Sequence, residues 1–288
     1  MLAQTLPPTS ILVVARPDDL ATLDVVGSFR EVQLVLVGEA GVLPPLRVGR
    51  EALPAEAEVV IITDDDASAR PDAIERLFRH YDAPEVGAVG GRIREHVCGR
   101  PAPARRLDYA GRVTRTGRFL GGFEAEPVSP LPRDVEFLRG AWMSFRRAVF
   151  DRLELHMALN GDAGIHYEVD LGLQVRELGY RIVYEPTSVV RHDNAPRMHG
   201  SARGADDPKR AQAQAHNTTY VQLLHLRGAR RPLALAHNLV VGDSSNWGLV
   251  KALIDPLLHR RVRWRGQLLA AYRGKFQAAR RYWSERHV

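Results

Sequence analysis

Val59–Asp72 reads VVIITDDDASARPD: an apolar run, a threonine, three successive carboxylates and a small-residue turn into a proline. Four apolar residues bounded by acids predict a short buried strand, and the following PDAIERLFRHYDAP predicts a helix. Pro71 sits in its first turn, with Ile74, Leu77, Phe78 and Tyr81 at helical spacing. Working outward, Ile11 to Ala15, Val32 to Val37 and Val86 to Gly91 are further apolar runs of strand length. Strands alternating with amphipathic segments predict an α/β domain, Rossmann-like, with a mostly parallel sheet flanked by helices. Ligands of such sheets sit beyond the carboxyl ends of the strands, which is where Asp64, Asp65 and Asp66 fall.

Adjacent carboxylates repel one another, so the triplet needs a cation or another source of positive charge. Hard divalent ions such as Mg²⁺ or Mn²⁺ prefer carboxylate oxygens together with those of a bound diphosphate. The alternative is a helix cap, where acids meet the positive end of the helix dipole. Three acids exceed what a cap needs, which favours the metal.

Farther along, Pro101 to Arg133 is rich in Gly, Pro and Arg and reads as short strands or a substrate-facing loop. VEFLRGAWMSFRRAVFDRL predicts a strand, a Gly-Ala turn and a helix from about Arg146. In YEVDLGLQVRELGYRIVYEP, Leu171, Val175 and Leu178 mark the buried face of a helix that Gly179 stops, and Arg181 to Tyr184 makes another strand. Glu168 and Asp170 open that helix. They offset its dipole, and beside the loop Asn160 to Gly164 either is also placed to act as a general base under a lid. His192, just past the strand in VVRHDN, is placed to complete a metal shell, although a lone histidine is more often a surface or hydrogen-bonded residue.

The totals exclude several classes. One cysteine, Cys98, permits no intramolecular disulfide, and neither the N-terminus nor any apolar run reads as a signal peptide or spanning helix, so a cytoplasmic location is expected. Net charge is +6 over 288 residues, but the segment from Leu258 onward carries +8, leaving −2 for the remainder. Trp264, Leu268, Leu269, Tyr272, Phe276, Tyr282 and Trp283 interleave with those bases. Such a tail suits an anionic membrane surface or nucleic acid, or a solvated helix packed through its aromatics.

The order of these motifs resembles the inverting nucleotide-sugar glycosyltransferases of family 2. The resemblance is carried by DDD after the third strand, VGAVGG, LRGAWMSFRR, DLGLQVRELGYRIVYEP and a following histidine, from about Ile11 to His192. It implies the GT-A fold over residues 1–205 with a helical C-terminal extension over 206–288. It also implies a nucleoside-diphosphate sugar donor, a saccharide or lipid-linked acceptor, Mg²⁺ or Mn²⁺, and no nucleic acid.

By that resemblance Asp64 and Asp65 contact the donor, Asp66 with Asp64 and His192 holds the metal, and Gly140 and Ala141 line the sugar pocket. Ala15, Pro17 and Glu39 fall where the nucleotide binds. Glu168 stands where the family's catalytic aspartate is found, with Asp170 as a second candidate base. The connection GVLPPLRVGREALPAEAE, residues 41–58, reads as short and without the family's arginine-containing helix. The extension resembles those of bacterial members acting on surface glycans, which predicts peripheral contact with the inner face of the cell membrane. A catalytically degenerate scaffold, a nucleic-acid-binding protein and a nucleotidyltransferase on a similar sheet are the competing classes.

Overall fold

A computed structural model describes residues 1–160, 165–194, 207–243, 246–258 and 264–286. The chain divides into two compact units. The first comprises Met1–Arg112, Leu120–Met157 and Leu171–Pro196; the second comprises Val113–Phe119, Ala158–Asp170 and Arg197–Val288.

In the first unit β1 (Ile11–Ala15), α1 (Leu20–Gly27), β2 (Val32–Leu36), α2 (Leu43–Glu51) and β3 (Val59–Thr63) alternate as the apolar runs predict. The linker before β3 does contain a helix, contrary to the expectation for residues 41–58. Pro44 and Pro45 fall at its start, where a missing backbone N–H costs nothing. Its Arg50 donates to the carbonyl of Leu153 at 2.7 Å and lies over the Phe150 ring. After the acidic turn come β4 (Ala67–Ala69), α3 (Ala73–Phe78) and β5 (Val86–Val97). Ile74, Leu77 and Tyr81 are buried, whereas Phe78 is 39% exposed, so the fully buried stripe is narrower than the spacing suggests.

The sheet is mixed. β6 (Trp142–Arg146) runs antiparallel between β3 and β5, and β7 (Arg181–Asn194) lies parallel to β5 on the other side. β1 and β2 form a separate parallel pair. One-turn α4 (Arg147–Phe150) follows β6, and β7 follows α5 (Tyr167–Glu177), which ends at Gly179 with φ +89°, as expected for a left-handed C-cap. β5 and β7 outrun their apolar cores by several residues. β7 passes Pro186 through a register shift between Glu185 and Val189, so His192 lies within the strand and not beyond it.

Trp142, wholly buried, is the centre of this core. Its Nε1 donates to Ser188 Oγ at 2.9 Å, and the hydroxyl of Ser188 in turn donates to the carbonyl of Ala73 at 2.9 Å. Gly91 of VGAVGG is what allows the indole so close: a Cβ there would fall 2.2 Å from the Ser188 carbonyl oxygen and 2.5 Å from Trp142 Cδ1.

In the second unit α6 (Pro208–His225) packs along α9 (Trp264–Glu285), with α7 (Arg230–Val240) and α8 (Leu249–Leu258) beside them. Ala215, Trp247, Ala252 and Ala271 form its buried centre. No helix among the described residues is long and apolar enough to cross a membrane.

Neither neighbour of Gly91 can yield, one being backbone and the other a locked indole. Gly91→Ala is expected to destabilise the protein by about 1–3 kcal/mol, the usual cost of overpacking. A thermal melt equal to the parent's would show that the close approach is not there.

Candidate functional site

The acidic triplet forms the turn between β3 and β4, closed by the amide of Ala67 donating to the carbonyl of Asp64. β4 then pairs antiparallel with β7, placing Ala67 opposite His192, and the amide of Asp193 donates to the carbonyl of Asp66 at 2.8 Å. These backbone bonds bring the acids to the histidine. His192 Nε2 lies 2.9 Å from Asp66 Oδ1 and 3.4 Å from Asp64 Oδ2. One ligand atom from each of Asp64, Asp66 and His192 falls within 4.8 Å of the others. Asp65 projects from the turn into solvent.

Sequence reasoning missed Glu95. It stands opposite His192 in the parallel register of β5 and β7, so both side chains leave the same face, and its Oε2 lies 3.1 Å from His192 Nδ1. The only trace in the sequence is an acid at the polar end of an apolar run, which carries no meaning until the register is known. A carboxylate on the far nitrogen of a ligating imidazole fixes its tautomer and orientation, as in many metal sites.

Hydrogen bonds to Asp64 and Glu95, outweighing burial, push the His192 imidazole from 6.5 up to about 10. In its protonated form the ring supplies the positive charge the acids need. To act as a ligand it must first give up the Nε2 proton. Two carboxylates, an imidazole and a supporting acid form a donor set that fits a divalent ion of intermediate hardness.

The other residues expected at the site occupy several places. Thr63 Oγ1 donates to the carbonyl of Ala141 at 3.1 Å, and Trp142 pairs with Thr63, so buried Gly140 and Ala141 adjoin the start of the acidic turn. Ala15 closes β1 and is buried, and Pro17 is exposed just after it. Glu39, exposed, is held by Arg47 of α2 at 2.6 Å. Glu168 and Asp170 belong to the second unit, in the first turn of α5. Glu168 is half-buried; Asp170 is fully buried, its Oδ1 2.7 Å from Nε2 of His225 on α6. Residues 161–164 of the expected lid lie outside the described residues.

Comparison with known proteins agrees with this architecture. Residues 1–204 match the model of a family described as glycosyltransferase like family 2. An O-antigen chain rhamnosyltransferase of Salmonella typhimurium is 26% identical over 48% of this chain and 42% of its own length. An N-acetylglucosaminyl-diphospho-decaprenol L-rhamnosyltransferase of Mycobacterium tuberculosis is 27% identical over 57% of this chain and 54% of its own. The chain thus spans about half the length of these curated relatives.

Among solved structures, GalNAc-T7 with UDP, GalNAc and Mn²⁺ superposes with a TM-score of 0.51 at 14% identity, covering 87% of this chain and 51% of that one. A mannosyltransferase from Pyrobaculum calidifontis in complex with GDP-Man and Mn²⁺ gives 0.50 at 16% identity, covering 95% and 80%. The fold is GT-A.

Two outcomes are expected at this cluster. Glu95→Gln should weaken Mn²⁺ binding by about 10–100-fold while leaving the melting temperature in chelator within a few degrees of the parent, as read by calorimetry. Unchanged affinity would show that Glu95 does not support the ligand. In chelator, the stability contributed by charged His192 is present in full below pH 6.5 and is lost as the pH rises through about 10, because the folded value is the higher one. The melting-temperature difference between parent and His192→Gln should therefore shrink across that window.

Proposed function

The chain belongs to the family 2 glycosyltransferases, and from that membership we propose that it moves a sugar from a nucleoside-diphosphate donor to a hydroxyl acceptor, in one displacement with inversion. The observation that carries the reading is the convergence of Asp64, Asp66 and His192 at the carboxyl end of β3. Acids in that position suit a metal-bound diphosphate.

Asp64 and Asp66 would offer the oxygens and His192 its Nε2, with Mn²⁺ favoured over Mg²⁺ because one donor is an imidazole. The ion, when bound, neutralises the departing diphosphate as a Lewis acid. Asp65 would lie along the nucleotide, Ala15 and Pro17 would border it, and Glu39, steadied by Arg47, would contact the base. Gly140 and Ala141 leave room for the donor sugar because neither carries a side chain longer than a methyl group.

The base that takes the acceptor proton would be Glu168. Asp170 is a poorer choice, because its buried bond to His225 already occupies the carboxylate and suits a group that fixes the start of α5. The names of the rhamnosyltransferase relatives make an L-rhamnosyl donor the first to test, with a surface glycan or lipid-linked saccharide as acceptor.

Melting the protein with UDP, GDP, dTDP and CMP, each with and without Mn²⁺, tests the donor site directly. A nucleotide that binds only the folded state raises the melting temperature. One nucleotide is expected to do so only with metal, and Asp66→Asn should abolish the effect. Stabilisation by none of them would favour a catalytically degenerate scaffold. Glu168→Gln should keep that stabilisation yet lower transfer by about 100- to 10,000-fold, the usual worth of general-base assistance. Transfer at the parent rate would remove Glu168 from the role.

A further inference from the structure

The β1–β2 pair ends in an open edge. Among the described residues no strand lies beside β2 on the side away from β1. The amide of Val37 donates to the carbonyl of Ala15 at 3.0 Å, so the odd-numbered residues of β2 turn their peptide groups to β1, while Leu34 and Leu36 turn theirs to the edge. Natural sheets blunt such an edge with a charge, a proline or a bulge. VQLVL contains neither charge nor proline and runs in unbroken register with β1.

The side chains at this edge are apolar as well. A Cβ on Gly49 of α2 would fall 3.3 Å from Val14 Cγ2, so α2 covers the face that holds Val14 and its partner Val35. Leu34 and Leu36 leave the opposite face, 38% and 53% exposed, with half-buried Val32 on the same side. Charges stand only at the ends: exposed Arg30 and Glu31 precede the strand, and Glu39, held by Arg47 at 2.6 Å, follows it.

We propose that β2 pairs antiparallel with β2 of a second copy of the chain, about a two-fold axis at Leu34, so that two β1–β2 pairs become one four-stranded sheet. The inference stands apart from the transfer chemistry. Centred on Leu34, the register sets Val32 opposite Leu36 and Gln33 opposite Val35, and it uses all five residues of the strand. A shift of two residues, the smallest that keeps bonding groups face to face, leaves only three of them paired, and in one direction it sets Glu31 opposite Glu39. In the Leu34 register Val32, Leu34 and Leu36 of both copies form one apolar strip. At either end Arg30 and Glu31 of one copy fall beside Glu39 and Arg47 of the other, two charges of each sign. An unrelated extended segment would close the same edge, but a copy of the chain brings the balancing charges with it by symmetry.

Sedimentation of the whole 288-residue chain over a range of concentrations tests this. Expected is a dimer whose share rises with concentration. Leu34→Lys/Leu36→Lys should raise its dissociation constant by about tenfold or more, because apolar partners are lost and like charges meet at the axis. Both side chains are exposed in the single chain, so the double variant should melt with the parent where the parent is monomeric. A parent that stays monomeric throughout overturns the proposal, as does parent-level dimerisation by the double variant. The register has its own readout. On a Cys98→Ser background, Leu34→Cys should oxidise to a covalent dimer, because facing Cα atoms of a bonded antiparallel pair lie about 5.5 Å apart. Leu36→Cys should not, since its twin lies four residues away along the strand. A covalent dimer through Leu36→Cys and none through Leu34→Cys overturns the pairing about Leu34.

Discussion

The site depends on one backbone constraint, the register of β7 against β5 after its bulge. Between Glu185 and Val189 the pairing shifts, and from there Val189–Asn194 runs opposite Arg92–Val97. A slip of one residue would turn His192 to the opposite face, away from both Glu95 and the acidic turn. Buried side chains on each side hold the bulge. Glu185 Oε1 accepts from the Thr187 amide at 2.9 Å, and Oε2 lies 2.9 Å from His80 Nε2. Ser188 bridges Trp142 and Ala73. Burial pushes the Glu185 carboxyl up, but the bonds from His80 and Thr187 win and hold it below its ordinary value, so it stays an acceptor at neutral pH.

That register turns repulsion into a binding site. Asp64, Asp65 and Asp66 repel one another in an isolated strand end, and the fold accepts this because β4 clamps the turn onto β7 through backbone bonds that do not depend on the side chains. Exposure falls from Asp64 through Asp66 to His192, so the acids face solvent while the imidazole anchors them from beneath. Glu95 closes the arrangement on the far nitrogen. Charge balance, ligand identity and orientation thus follow from three neighbouring strands.

The second unit follows a different rule, in which small residues and one buried cation set the packing. Alanines and Gly274 let α6 and α9 approach closely, and Lys275, lowered by burial to about 8, donates to the carbonyls of Asn238 and Trp247 at 2.6 and 2.5 Å. Tyr282 is sealed between the guanidinium groups of Arg231 and Arg286. Leu269, Phe276 and Trp283 of α9 remain exposed at the surface.

The sequence by itself determined the α/β alternation, because buried strands need short apolar runs and amphipathic helices need a 3.6-residue period, both local properties. Motif order was equally readable: DDD, VGAVGG, LRGAWMSFRR and the DLGLQVRELGYRIVYEP run resemble one family, and the family match over residues 1–204 agrees. Other features are not local. Helix α2 was hidden by its two prolines, which signal a break in a sequence but are tolerated at a first turn. The antiparallel insertion of β6, the length of β7 past Pro186, and the pairing of Glu95 with His192 arise from hydrogen bonds between segments about fifty to a hundred residues apart. Likewise only packing could divide the aromatics of the C-terminal tail into Tyr282, which is core, and Phe276 and Trp283, which are surface. Composition shows which side chains are apolar, and neighbours decide which of them are covered.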